Sequence, residues 1–132
     1  MPEKKTLEQA RRAKRQGKSP STQASAFVHE EIEHIREGKH GARSTKQAIA
    51  IGLSKARRAG VKLRPPKKGQ TSDQTRENAQ RDYRAGQSGH KPSAKRSRAA
   101  LRALKDEPRR VTSHKALSAH ARSAAARRRR TS

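Results

Sequence analysis

Nine large apolar residues lie between Ala24 and Leu63, and their concentration there constrains the chain more than any other feature: Phe27, Val28, Ile32, Ile35, Ile49, Ile51, Leu53, Val61 and Leu63. The remainder of the 132 residues offers them few partners, with no Trp or Cys and with Phe27 and Tyr83 as the only aromatic residues. A chain this poor in large apolar side chains cannot bury one core along its whole length. The expectation is an all-α protein: a small helical hairpin core with a basic, largely disordered N-terminal arm and C-terminal tail.

The helical reading rests on spacing and on stop signals. Ser19 is a natural N-cap and Pro20 suits the first helical position. Phe27, Val28, Ile32 and Ile35 follow at helical intervals with Ala24 and Glu31, and Glu30, Glu33 and Glu37 fall off that stripe. Gly38 ends the segment. A loop of about six residues, Gly38 to Arg43, leads to Ser44-Thr45-Lys46-Gln47, which has capping-box spacing. Ile49, Gly52, Leu53 and Ala56 then form an apolar face, Gly60 stops it, and Val61 sits where a Schellman motif places its hydrophobic contact. Gly52 and the neighbouring alanines let two helices approach closely. Upstream, Thr6-Leu7-Glu8-Gln9 predicts another capping box, opening a first helix that stops at Gly17.

Four segments follow: a basic arm or helix over residues 1–19, the hairpin core over 20–63, a linker over 64–93 and a basic tail over 94–132. Arg64-Pro65-Pro66 breaks the chain after the core. Within the linker, residues 72–85 predict a polar helix ending at Gly86. In the tail, Leu101 with Leu104, and Leu117 with Ala121 and Ala124, mark two short helices. Arg15-Gln16-Gly17, Arg36-Glu37-Gly38, Arg58-Ala59-Gly60 and Arg84-Ala85-Gly86 share a helix-stop chemistry, a cation followed by glycine. Alone, the hairpin is marginal. It is expected to dimerise, to recruit the first helix or to fold on a partner.

Charge sets the function classes. The chain has 35 Lys plus Arg against 11 Asp plus Glu, a formal charge of +24. Residues 20–42 are net acidic, with two basic and four acidic groups, whereas residues 43–68 carry nine basic and no acidic groups. A compact chain with this charge repels itself unless a polyanion neutralises it, and nucleic acid releases counterions on binding such a chain. Three candidate phosphate-binding patches result. Arg11, Arg12, Lys14 and Arg15 form the first. Arg43, Lys46, Lys55, Arg57, Arg58, Lys62, Arg64, Lys67 and Lys68 form the second, with Arg43 and Lys46 at a helix N-terminus that also favours anions. Lys95, Arg96, Arg98, Arg127, Arg128, Arg129 and Arg130 form the third. Separated patches on flexible segments suit a strand of phosphates better than a compact ligand.

Other chemistries find little support. Base-specific reading is disfavoured, because the hairpin loop exceeds the three or four residues of a helix-turn-helix. Stacking on unpaired bases needs aromatics, and only Tyr83 lies outside the core segment. His29 and His34 are five residues apart, whereas HExxH zinc sites need four. Glu31 and His34 have the ExxH spacing of carboxylate metal sites, which require a second copy that the chain lacks. No nucleophile–base arrangement or glycine-rich phosphate loop is present, so catalytic residues, a metal and cofactors are not expected.

The run from Glu30-Glu31-Ile32-Glu33-His34-Ile35-Arg36-Glu37-Gly38-Lys39-His40-Gly41 to Ser44-Thr45-Lys46-Gln47-Ala48-Ile49-Ala50-Ile51-Gly52-Leu53-Ser54-Lys55-Ala56-Arg57-Arg58-Ala59-Gly60 resembles a family of small basic bacterial proteins of unknown function. Some of its members are loosely labelled DNA-binding. The resemblance runs over residues 2–69 and reaches the tail by composition only, where the tail is also similar in composition to linker-histone tails. It implies a bacterial origin and a helical core, and it carries no catalytic residues.

Together these features predict a non-enzymatic, nucleoid-associated, histone-like protein of the cytoplasm that binds DNA non-specifically by neutralising phosphates. RNA is the other polyanion the charges suit, as in a ribosome-associated protein. A homodimer through the hairpin is a further expected contact. The reading from another class is an interaction module that docks a protein on the acidic and apolar helix over residues 22–37. Neither a membrane nor a small-molecule substrate is expected.

Overall fold

The computed structural model describes residues 3–89 and 94–130, with the side chain of Arg130 outside that description. It is all-helical, in keeping with the sequence pattern. The helices are α1 (Lys4–Arg15), α2 (Pro20–Arg36), α3 (Thr45–Arg58), α4 (Asp73–Ser88), α5 (Ala94–Lys105) and α6 (His114–Arg130), with a 3₁₀ turn at Arg110–Thr112. None of the described helices is long and apolar enough to cross a membrane.

The hairpin forms where its caps place it. Ser19 Oγ accepts from the Thr22 amide at 3.3 Å, and Pro20 opens α2. Ser44 Oγ accepts from the Gln47 amide at 3.0 Å, while Gln47 Oε1 accepts from the Arg43 amide at 2.6 Å. These bonds satisfy amides that the first helical turn leaves without partners. At the far end of α3, Val61 donates to the Ala56 carbonyl at 3.1 Å and is itself buried, which completes the Schellman contact.

Helix α2 lies between α1 and α3, and α4 packs on α3. Two apolar clusters hold the stack. One joins Ala10 of α1, Ala24 and Phe27 of α2, Ala56 of α3 and Val61, with Leu7, Leu53 and Leu63 packed around them. The other joins Ile35, Ala42, Ala48 and Val111 at the loop end of the hairpin. The hairpin thus packs against α1, and against α4, the 3₁₀ turn and α6 as well. Phe27, Glu31 and Ile35 stand at successive i, i+4 positions of one face of α2 and are all fully buried, so a carboxylate sits between the two apolar clusters. Gly52 is the close approach of α2 and α3: a Cβ there would lie 2.5 Å from Val28 Cα.

The structure departs from expectation in three places. Thr6 does not cap α1, which begins at Lys4 after Glu3. Instead the buried Thr6 hydroxyl donates to Glu30 Oε1 at 3.1 Å, and the Glu3 amide donates to the same oxygen at 2.5 Å. A buried carboxylate without donors costs more than an uncapped, exposed helix start, so the hydroxyl serves Glu30. Glu30 is accordingly buried rather than exposed on the polar face.

The second departure is α4, which runs through Gly86 to Ser88 and ends on Gly89 at φ +73°. Gly86 is the contact with α3, where any Cβ would overlap the Arg57 carbonyl. The helix is therefore packed rather than a free linker element, with Ala79 buried and Asp82 accepting from Ser54 Oγ at 2.6 Å.

The third departure concerns the arm and tail, which are helical in the described residues rather than largely disordered. The Gly41 amide donates to the Leu104 carbonyl at 2.7 Å and the Ala42 amide to the Pro108 carbonyl at 2.8 Å. Val111 and Thr112 are buried against the hairpin, so the tail supplies part of the second cluster.

Candidate nucleic-acid interface

The first predicted patch is presented as the sequence implies. Thr6 and Ala10 face α2, which leaves Arg11, Arg12, Lys14 and Arg15 exposed on α1. The second patch divides. Lys62, Arg64, Lys67 and Lys68 are exposed on the strap that leaves α3. Val61 and Leu63 of that strap pack in the same cluster as Leu7 and Ala10, so the strap and α1 border one end of the hairpin. Two patches far apart in sequence become neighbours because the Phe27 cluster needs both flanks to close.

Three predicted contacts of the second patch are taken by internal partners. Arg57 is only 8% exposed, and its guanidinium donates to the carbonyls of Leu63 at 3.1 Å and Arg64 at 3.3 Å. It positions the strap rather than meeting solvent. Burial pulls this guanidinium below its ordinary range, and the nearby Asp82 carboxylate opposes that pull. Arg58 donates to Asp82 Oδ1 at 2.7 Å, with its side chain about half exposed. Lys55 is bonded to the buried carboxylate of Glu31. The sequence marks all three as surface cations, because Glu31 and Asp82 reach α3 only through tertiary packing.

Arg43 and Lys46 are exposed at the other end of the hairpin. There they stand near cations that sequence reasoning left in the undifferentiated tail. Arg109 donates to the carbonyls of Ile35 at 3.1 Å and Arg36 at 2.5 Å, capping the C-terminus of α2. Arg36 in turn donates to the Thr112 carbonyl at 3.2 Å. Arg36, Arg109, Arg110, Thr112 and Ser113 line a shallow depression of about 290 Å³. The available signal was Arg109-Arg110 directly before Val111, a basic pair joined to an apolar anchor. In the third patch, Lys95, Arg96 and Arg98 are exposed on α5, and Arg127, Arg128 and Arg129 on α6. The predicted contact at Arg130 lies outside the described side chains.

The acidic groups of α2 are drawn inward or toward one edge. Glu30 holds α1 and Glu31 meets Lys55. Glu3 accepts from His34 Nε2 at 3.0 Å, and that bond, with Lys39 nearby, holds the Glu3 carboxyl below the usual carboxylate range. Lys39 also pairs with Glu37 at 3.4 Å, and Arg36 with Glu33 at 3.6 Å. These exposed pairs contribute little stability.

A family model described as "Family of unknown function (DUF6496)" matches residues 11–68 of the chain. The match covers the end of α1, the hairpin and the strap. No curated protein and no solved structure matches the chain.

Proposed function

We propose that this protein binds nucleic acid non-specifically, with duplex DNA as the preferred form, as a nucleoid-associated, histone-like protein that neutralises phosphates. One observation carries the reading: the exposed cations of α1 and of the 62–68 strap border the same end of the hairpin, while the carboxylates of α2 are consumed internally or held at another edge. Cations grouped in this way can follow a phosphate backbone and carry no base information. The tail helices add a second, separately tethered set of cations, which raises avidity on a long polyanion.

RNA is the alternative partner served by the same charges. An interaction module built on residues 22–37 has less support, because Ala24, Phe27 and Ile35 of that helix are already covered by α1, α3 and the 3₁₀ turn.

The test is fluorescence anisotropy of a random-sequence duplex, titrated with protein at several salt concentrations. The expected log–log slope is about −5 or steeper. Replacing Arg11, Arg12 and Arg15 with Ala should weaken binding equally on unrelated sequences and flatten the slope by about 1 per cation removed. Salt-insensitive binding overturns the reading. Stronger competition by structured RNA than by duplex assigns the protein to RNA.

A further inference from the structure

Along the buried face of α2, the side chains of Glu31, His34 and the loop residue His40 come together. Glu31 is fully buried, and its Oε1 is held by the Lys55 ammonium. Its Oε2 accepts no hydrogen bond, although His40 Nε2 lies 3.1 Å away. The other nitrogen of His40, Nδ1, is 2.9 Å from the Gly41 carbonyl, which can only accept, so Nδ1 donates there. In the neutral ring, Nε2 is then bare and faces the carboxylate.

The same arrangement recurs on His34. Its Nε2 is 3.0 Å from the Glu3 carboxylate and must donate there, which leaves Nδ1 bare and 3.9 Å from Glu31 Oε1. The two rings stand edge to face at 82°, with centroids 6.3 Å apart. One ligand atom from each of Glu31, His34 and His40 lies within 4.8 Å of the other two. Tetrahedral zinc with bonds of ~2.0–2.1 Å spaces its N and O ligands about 3.3 Å apart, so side-chain rotation that draws the three groups together would let them share an ion.

We propose that Glu31, His34 and His40 form a binding site for a divalent transition-metal ion of the zinc class, pinning α2 to the α2–α3 loop. The donor set is two imidazoles and one carboxylate, which suits zinc better than magnesium or calcium. Both imidazoles have the outer partner that metal-bound histidines require, a backbone carbonyl for His40 and a carboxylate for His34. Lys55 orients the ligand carboxylate through its second oxygen. A proton on each ring is the competing occupant. It places two imidazolium charges and the Lys55 ammonium around a single carboxylate, in a chain that already carries +24. The ExxH pair Glu31/His34 was visible in the sequence, but a second helical copy was the expected complement. The third ligand comes from the loop instead.

The test uses the full chain, stripped with chelator and free of nucleic acid, so that its result is independent of the phosphate-binding reading. Zn²⁺ is titrated calorimetrically and Co²⁺ by visible absorption. The expected result is one equivalent of either ion, a Co²⁺ spectrum of tetrahedral type, and a Zn²⁺-dependent rise in melting temperature that chelator reverses. His40→Ala and His34→Ala should each lower affinity by about 100-fold or more. Glu3→Ala, an exposed change that keeps the backbone amide bond to Glu30 and removes the acceptor of His34 Nε2, should lower it about 10–100-fold by releasing the His34 ring. His114→Ala, on α6, should leave it unchanged. Absence of binding by the unaltered chain overturns the proposal, as does binding that Glu3→Ala and His40→Ala leave unaffected. If His40→Ala fails to fold, Glu3→Ala decides.

Discussion

Phe27 and Glu31 are one helical turn apart on the same face of α2, and neither is exposed to solvent. Around Phe27 the seam is built from alanines, valine and leucines contributed by α1, α2, α3 and the strap. Around Glu31 it is built from Lys55, His34 and His40. The first region gains from removing apolar surface from water and tolerates no missing volume. The second gains little net energy, because desolvating charges offsets their attraction, but it admits only one arrangement of partners. The apolar end therefore supplies stability, and the polar middle selects the register in which α3 and the loop meet α2.

The largest expected effect breaks the apolar end. Phe27→Ala should destabilise the protein by about 3–5 kcal/mol in urea unfolding, since the emptied volume is enclosed by four segments. Gly52→Ala attacks the same seam from its backbone, because the added Cβ meets Val28. It should cost about 2–3 kcal/mol, read as a lower melting temperature. The polar middle sharpens the contrast. Measured in chelator, Glu31→Gln should cost about 1–3 kcal/mol by leaving the Lys55 ammonium without its anion, whereas Glu31→Leu combined with Lys55→Met should recover native stability or exceed it. A double variant that stays as unstable as Glu31→Gln would show that the polar middle is a stabilising centre after all. The smallest effect tests the far cluster: Val111→Ala should cost about 1–2 kcal/mol. It should also speed amide hydrogen exchange at Gly41 and Ala42, which are bonded to the Leu104 and Pro108 carbonyls.

Local chemistry made much of the hairpin legible. Ser19-Pro20, Ser44 with Gln47, and the glycines at 17, 38 and 60 place their helix ends correctly, because caps and left-handed glycines act over four or five residues. The same rule misread Gly86, whose role depends on α3 lying against it. It misread Thr6 as well, because a buried Glu30 was not foreseen. In the candidate interface, the exposed cations of α1 and the strap were readable as charge. Arg57, Lys55 and Arg58 were not readable as internal donors, and Arg109 was not readable as a cap on α2, some 70 residues earlier in the chain.

The sequence by itself determined the all-helical class, the position of the hairpin and the excess of positive charge, because these follow from periodicity, caps and composition. Only the tertiary structure decided which charges face solvent and which serve the interior. It alone set the α1 and strap patches side by side and carried His40 to Glu31 and His34. The physical reason is range: helix signals act within a turn or two, whereas the fate of a charged side chain depends on what distant segments must bury beside it.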